Sequence, residues 1–474
     1  MRIPFIGPAY KTRSVNQSAQ RCINWYLEQS ERGGRTPAAL YPTPGLRRLL
    51  TVGAGPIRAM QTYGDALYVV SGSGLYRVTS DWEVTGLGSL QTSIGPVGMA
   101  YNALQVLFVD GVTGYMLDLQ DDDFEPIEDE DFPAGVTWAA YLDSYFIVGG
   151  DGSGRFYISG VLNGGAWDGT DFSSAEGDPD PVLMGVVDHR ELWLIGSRTI
   201  EVWVNTGNPD FPIERQGNAF VEKGTSAPGS VVKLDNSVFW LGQDESGEGV
   251  VWRADSYNPM RVSTHGIELL IAHAGRVDDA VAYAYTEAGH AFYVLTFPEA
   301  DFTVVYDVAS GEWHERAWFD ASRGWMHRHR AQCHAVLGRT HVVGDWEDGR
   351  LYALDQDVYT DDGDSIRRVR TTIGDDADMR NIAYHALQLD IEAGVGLPTG
   401  QGSDPQMMLR WSNDGGHTWS NTHTASMGKT GEYGRRCMWR RLGMGRQRVW
   451  EVSVTDPVKA VIMGAVVQAT STGA

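Results

Sequence analysis

The chain has 474 residues, with 38 basic against 61 acidic side chains, and its net charge of −23 excludes wholesale binding of nucleic-acid phosphates. No apolar run approaches the ~20 residues that span a bilayer, and three scattered cysteines (Cys22, Cys333, Cys437) provide no disulfide framework and fit a reducing compartment. Fifty-seven glycines and 11% aromatic residues, with no sustained helical period, point to an all-β protein.

Residues 1–56 open with Met1-Arg2-Ile3-Pro4-Phe5-Ile6-Gly7-Pro8, too short and proline-broken for a secretory leader, so a non-secreted protein is expected. Asn24-Trp25-Tyr26-Leu27-Glu28 predicts a short strand, and Thr43-Pro44-Gly45-Leu46 a turn. Seven similar hairpins follow. Their first strands are dense apolar runs at 66–70, 106–109, 145–148, 192–195, 238–241, 291–295 and 341–343. A turn comes next each time, at or near Gly72, Gly111, Asp151, Ser197, Ser246, Glu299 and Glu347. The second strand then carries an aromatic residue: Tyr76, Tyr115, Tyr157, Trp203, Trp252, Tyr306 or Tyr352. Runs without alternation belong to strands covered on both faces. Stranded repeats spaced roughly 40–50 residues apart are the mark of a β-propeller. The expected fold is therefore a propeller of six or seven blades over 57–358. The preceding segment, 1–56, is placed to supply a strand that closes the last blade.

Within the propeller, residues 120–131 gather eight acids, among them Asp121, Asp122, Asp123, Glu128, Asp129 and Glu130. Calcium loops bring carboxylates together across a glycine bend. This stretch has no such glycine and reads as a solvated acidic loop, available to a basic partner. His327, His329, Cys333 and His334 lie close in sequence, but strand geometry points them to different faces, so no metal is expected.

A linker at 359–364 leads to four further strand patterns, at 383–392, 407–411, 449–455 and 461–469, which predict a β-sandwich-like domain over 359–474. Arg435, Arg436, Arg440, Arg441, Arg446 and Arg448 form the one strongly basic stretch. They read either as strand-edge arginines or as an interface with an acidic neighbour. Ser412-Asn413-Asp414-Gly415-Gly416-His417-Thr418-Trp419 fits the Asp-box pattern through Ser412, Asp414, Gly416, Thr418 and Trp419. Its chemistry is structural: the carboxylate ties turn amides, glycine takes positive φ, and tryptophan packs beneath. Sialidases carry such boxes, so a glycan-binding or glycan-cleaving propeller is the alternative. Nothing marks out the arginine cluster, tyrosine nucleophile and acid that such catalysis needs. Nucleophile-elbow, zinc-helix, Walker and dinucleotide motifs are also absent. Binding is favoured over catalysis, with no cofactor.

Three stretches taken in order carry a resemblance: Asn24-Trp25-Tyr26 with Thr43-Pro44-Gly45-Leu46, the aromatic hairpins, and Met438-Trp439-Arg440-Arg441-Leu442-Gly443 followed by a Pro457-Val458 turn and a last strand. Together they resemble the packaged-DNA-stabilisation proteins of short-tailed bacteriophages, also called tail hub proteins or tail accessory factors. The resemblance implies a structural component of the virion tail, assembled in the host cytoplasm. It implies a homo-hexamer below the portal and its adaptor ring, holding a tail needle or plug and tailspikes or fibres, with DNA passing through unbound. Heterologous contacts build such rings, which pairs the 435–448 arginines with the 121–131 acids of a neighbouring copy.

Overall fold

The computed structural model describes residues 2–14, 18–30, 36–175, 177, 180–372, 375–376 and 380–472. Five four-stranded antiparallel sheets follow one another, at 57–89, 98–126, 138–174, 182–221 and 232–261. A sixth unit of the same form, 281–320, runs on into a larger sheet. The seventh, 331–355, takes its fourth strand from Gly45–Thr51, which pairs antiparallel with Arg350–Asp355. First strands of successive units stand beside one another around an axis, and the seventh returns to the first. The molecule is a seven-bladed β-propeller with a β-sandwich.

The apolar runs read from the sequence are the second strands of the blades. Every residue of Ala66–Ser71 is buried, as are all but Ala291 of His290–Phe297. One face packs on the preceding blade and the other on the next: Val69 clusters with Val342 and Leu351 of the seventh blade, while Val70 clusters with Phe108 and Leu117 of the second. The recurring aromatic on the third strand does more than fill space. Tyr115, Tyr157 and Tyr352 each donate their hydroxyl to an aspartate at the hairpin tip: Asp110 at 3.3 Å, Asp151 at 3.0 Å and Asp345 at 2.7 Å. Those carboxylates also accept backbone amides of their own turns, so each tip is tied internally. On the opposite rim, the pairs Asp143–Ser144, His189–Arg190 and Asp235–Asn236 have positive φ at both positions, as tight two-residue hairpins require.

The second domain is a two-sheet sandwich. One sheet orders Trp25–Gln29, Ala38–Pro42, Ile462–Thr472, Asn381–Ile391 and Cys437–Arg440, with Arg2–Ile3 on Ile462–Thr472. The other orders Cys22–Ile23, Arg368–Thr371, Gln447–Val454, Gln406–Ser412 and His423–Ser426. Trp25, Tyr384, Leu387, Leu409, Trp450 and Ile462 fill the space between. Segment 1–56 thus divides: its early strands complete the sandwich and Gly45–Thr51 completes a blade. The second sheet does not stop at the domain edge. Ile23 pairs in parallel with Glu315 of the sixth blade, producing one eleven-stranded sheet that runs from propeller into sandwich.

Candidate interaction surfaces and the joint between domains

The joint is built by the first motif of the sequence. Asn24, 2% exposed with φ 57°, donates from Nδ2 to the carbonyls of Ala317 and Arg367, both at 2.9 Å. Its Oδ1 accepts the Ala317 amide at 2.9 Å, and its own amide donates to the Glu315 carbonyl. One side chain therefore pins blade six to the strand entering the sandwich. The neighbouring aromatics part company. Trp25 is fully buried in the sandwich and donates Nε1–H to the Ala460 carbonyl at 2.7 Å, while Tyr26 packs on Phe292 and His290 in the propeller. Gly45 comes so close to the carbonyls of Val358 and Thr360 that a Cβ would lie 2.4 and 2.6 Å from their oxygens, which is why glycine stands there. Arg21 adds a two-point ion pair to Glu315, at 2.9 and 2.6 Å.

Two charged groups at this joint were not legible as special. Asp361 and Arg368 are both buried, and the Arg368 guanidinium has no hydrogen-bond partner among the described residues. Burial pushes the Asp361 carboxyl up to about 7 against the pull of Arg368 and Arg330, and lowers Arg368 to about 10. Arg58 was missed as well. It is buried in the first blade and gives its N–H groups to the carbonyls of Gly72, Thr92, Ile94 and Gly95 at 2.8–2.9 Å, fixing the loop that presents Ile94 to solvent. An arginine in a strand pattern carries no signal of that kind.

The acidic stretch is not one loop. The strand Phe124–Pro126 interrupts it, with Phe124 stacked on Tyr115 at 5.4 Å. Asp121, Asp122 and Asp123 sit in the turn before that strand, whereas Glu128, Asp129 and Glu130 follow it, at the other rim of the blade. Asp122 is engaged by Arg77, and Asp129 accepts the amides of Trp167 and Asp131 at 2.9 and 3.0 Å. Asp121, Asp123, Glu128 and Glu130 remain exposed.

Of the arginines, Arg435, Arg436, Arg440, Arg441 and Arg446 are exposed and form no ion pair among the described residues. Arg440 and Arg441 line an open groove on the outer face of the first sandwich sheet, beside Met438, Met444 and Gln468. Arg448 is a correction. It is 1% exposed, lies over the rings of Tyr384, Trp411 and Trp450 at 4.1–5.1 Å, and donates to Asn413 Oδ1 and the Leu442 carbonyl. A guanidinium enclosed by aromatic faces is a core element and meets no partner surface.

The Asp box folds as its chemistry dictates. Asp414 accepts the Ser412 hydroxyl at 2.6 Å, the Thr418 amide at 2.8 Å and the Thr418 hydroxyl at 2.5 Å, while the Gly416 amide donates to Ser412 Oγ. These bonds hold its carboxyl well below the usual range. Gly415 and Gly416 take φ of 76° and 104°, and Trp419 carries the Arg410 guanidinium over its face at 4.6 Å. The box spends its polar groups on itself. Among the described residues no group of three or more His, Cys, Asp or Glu could hold a metal ion. His327 is bonded to Asp301, and burial lowers His329 to about 3.

Solved structures that match this chain share little sequence with it. The extracellular domain of BT4673 from B. thetaiotaomicron is 9% identical, with a TM-score of 0.44 over 65% of this chain and 40% of that one. The Neurospora crassa Pan2 WD40 domain is 10% identical, with a TM-score of 0.42 over 66% of this chain and 95% of that one. The computationally designed Ika8 protein is 14% identical, with a TM-score of 0.39 over 71% and 100%. A search of curated proteins finds no match. Two family models do match, in tandem: the β-propeller of bacteriophage P22 Gp10 over residues 1–359 and its β-sandwich over 368–470. The chain belongs to the bacteriophage P22 Gp10 family, structural phage proteins that stabilise packaged DNA.

Proposed function

We propose that this protein is the tail hub of a short-tailed phage: six copies form a ring below the portal and its adaptor, lengthen the DNA channel and retain packaged DNA. The ring holds a needle or plug and the tailspikes or fibres, and catalyses no reaction. It is assembled in the host cytoplasm and resides in the virion tail. The observation that carries this reading is the tandem match of both domains to the Gp10 family over nearly the whole chain. Physical chemistry supports it. A net charge of −23 lets a duplex pass without gripping, and a sheet continuous across the joint makes the two domains one load-bearing body.

The ring contact is heterologous. It sets Arg435, Arg436, Arg440, Arg441 and Arg446 of one copy against exposed acids of the next, with Asp121 and Asp123 on one rim and Glu128 and Glu130 on the other as the two available clusters. Native mass spectrometry of the purified protein, alone and with adaptor-bound portal, tests the reading. Six copies per adaptor ring are expected, and the double variant Arg440→Glu, Arg441→Glu lowers occupancy. A monomer under both conditions refutes the hub. Normal rings from the double variant refute only the arginine contact.

A further inference from the structure

The outer face of the second sandwich sheet does not lie open to solvent along its whole length. Where it meets the end of blade six it forms a cleft of about 270 Å³ between Phe319 and Arg367 on one side and Met408, Arg410, Thr422 and Ser453 on the other. Met408 pairs with Ser453, and Arg410 with Glu451, so these alternate residues share the outward face, while Leu409 and Val452 fill the core. The cleft wall therefore follows from strand periodicity.

Its charge is unusual for this molecule. Arg410 is aimed by two contacts, its Nε on Glu451 Oε1 at 2.5 Å and its guanidinium over Trp419 at 4.6 Å. The tightly bonded Asp-box turn holds that tryptophan, so the motif serves to orient Arg410. Arg367 stands across the cleft, half-buried, with its guanidinium 5.5 Å from the centre of the Phe319 ring and no carboxylate paired to it among the described residues. Burial lowers its affinity for a proton, Glu451 opposes this, and Arg410 and Arg21 add to it. Three guanidinium groups (Arg21, Arg367, Arg410) face two carboxylates (Glu315, Glu451), which leaves one positive charge in excess in a chain that is otherwise strongly acidic.

We propose that this cleft is a binding site for a carboxylate group, which bonds Arg367 while its carbon stem lies on Phe319 and Met408. A guanidinium fork matches a carboxylate in shape and charge, and the hydroxyls of Thr422 and Ser453 supply further donors at the wall. The volume suits one acidic side chain or one acidic sugar residue and is too small for a folded surface. The site is separate from the Arg440–Arg441 groove and stands whether or not the ring reading does.

Saturation-transfer NMR on the full chain tests it, with N-acetylglutamate amide and glucuronate as probes of the two sources of a carboxylate, and N-acetylglutamine amide and glucose as neutral controls. Transfer to at least one acid and to neither control is expected. Arg367→Ala should reduce that transfer roughly tenfold, the loss of a charge-assisted bond, and Arg367→Lys should restore part of it. Thr422→Val, on the exposed opposite wall, provides a second loss that does not depend on the Arg367 variant folding. Response to the glutamyl probe alone assigns the site to a protein side chain, and response to glucuronate alone to an acidic glycan. Equal transfer to acids and controls, or acid transfer unchanged in both Arg367→Ala and Thr422→Val, overturns the proposal.

Discussion

Replacing Asn24 by alanine removes the pin between propeller and sandwich, and the cost follows from the geometry. Three hydrogen bonds at 2.9 Å disappear, and the Ala317 amide and the Ala317 and Arg367 carbonyls are left without that partner. At roughly 0.5–1.5 kcal/mol each, the bonds contribute about 1.5–4.5 kcal/mol. Alanine must also hold the φ of 57° that asparagine tolerates, which costs about 1 kcal/mol more. For a chain this long the unfolding entropy is about 1 kcal/mol/K, so the loss corresponds to a melting shift of roughly 3–5 °C if the two domains unfold together. Differential scanning calorimetry measures it directly. Asn24→Gly separates the two contributions, because glycine accepts the left-handed backbone but makes none of the bonds. It should melt between wild type and Asn24→Ala. A melting point within 1 °C of wild type for the alanine variant would refute the account of this residue as the joint.

Three further outcomes are expected. The raised Asp361 carboxyl keeps its proton in the folded chain while the unfolded chain loses it, so its contribution lowers stability as pH rises from about 4 to about 7. Urea midpoints across that window should fall less in Asp361→Asn than in wild type, and parallel curves would contradict this. Tyr352→Phe removes the hydroxyl donor from Asp345 Oδ2 and should cost roughly 1–3 kcal/mol, read as a lower melting point that Tyr306→Phe, whose hydroxyl makes no tip bond among the described residues, does not share. Asp414→Ala should raise hydrogen exchange at the Thr418 amide roughly tenfold without changing propeller exchange, and unchanged exchange at Thr418 would show that the box does not depend on its carboxylate.

What the sequence disclosed depended on how each residue is surrounded. The second strands of the blades were legible because burial on both faces leaves an unbroken apolar run, and Tyr115 or Tyr352 marked the strand that follows. The Asp box was legible because its partners are at most six residues apart. The strand Phe124–Pro126 was hidden because acids flank it and only Phe124 packs. Arg448 looked like a member of a surface patch because the rings around it, Tyr384, Trp411 and Trp450, come from three strands, two of them distant in sequence. The roles of Asn24 and Arg58 depend on backbone carbonyls, which leave no trace in side-chain identity. For the same reason the Arg367 cleft could not be anticipated: its walls are 319, 367, 408–410, 422 and 453.

The placement of the earliest strands sets an order on synthesis. Trp25–Gln29 pairs with Ala38–Pro42, whose other edge waits for Ile462–Thr472, and Gly45–Thr51 waits for Arg350–Asp355. As the chain leaves the ribosome, blades one to five are able to form in turn, but the ring stays open until residue 355 has emerged and the sandwich core stays incomplete until the last strand is made. The free edge of Ala38–Pro42 and the strand Gly45–Thr51 are among the last to find their partners, and until then they present unpaired edges of the kind that aggregate. A prematurely terminated chain consequently exposes Trp25 and Leu40 instead of burying them, a mark by which chaperones and proteases distinguish an unfinished product from a complete one.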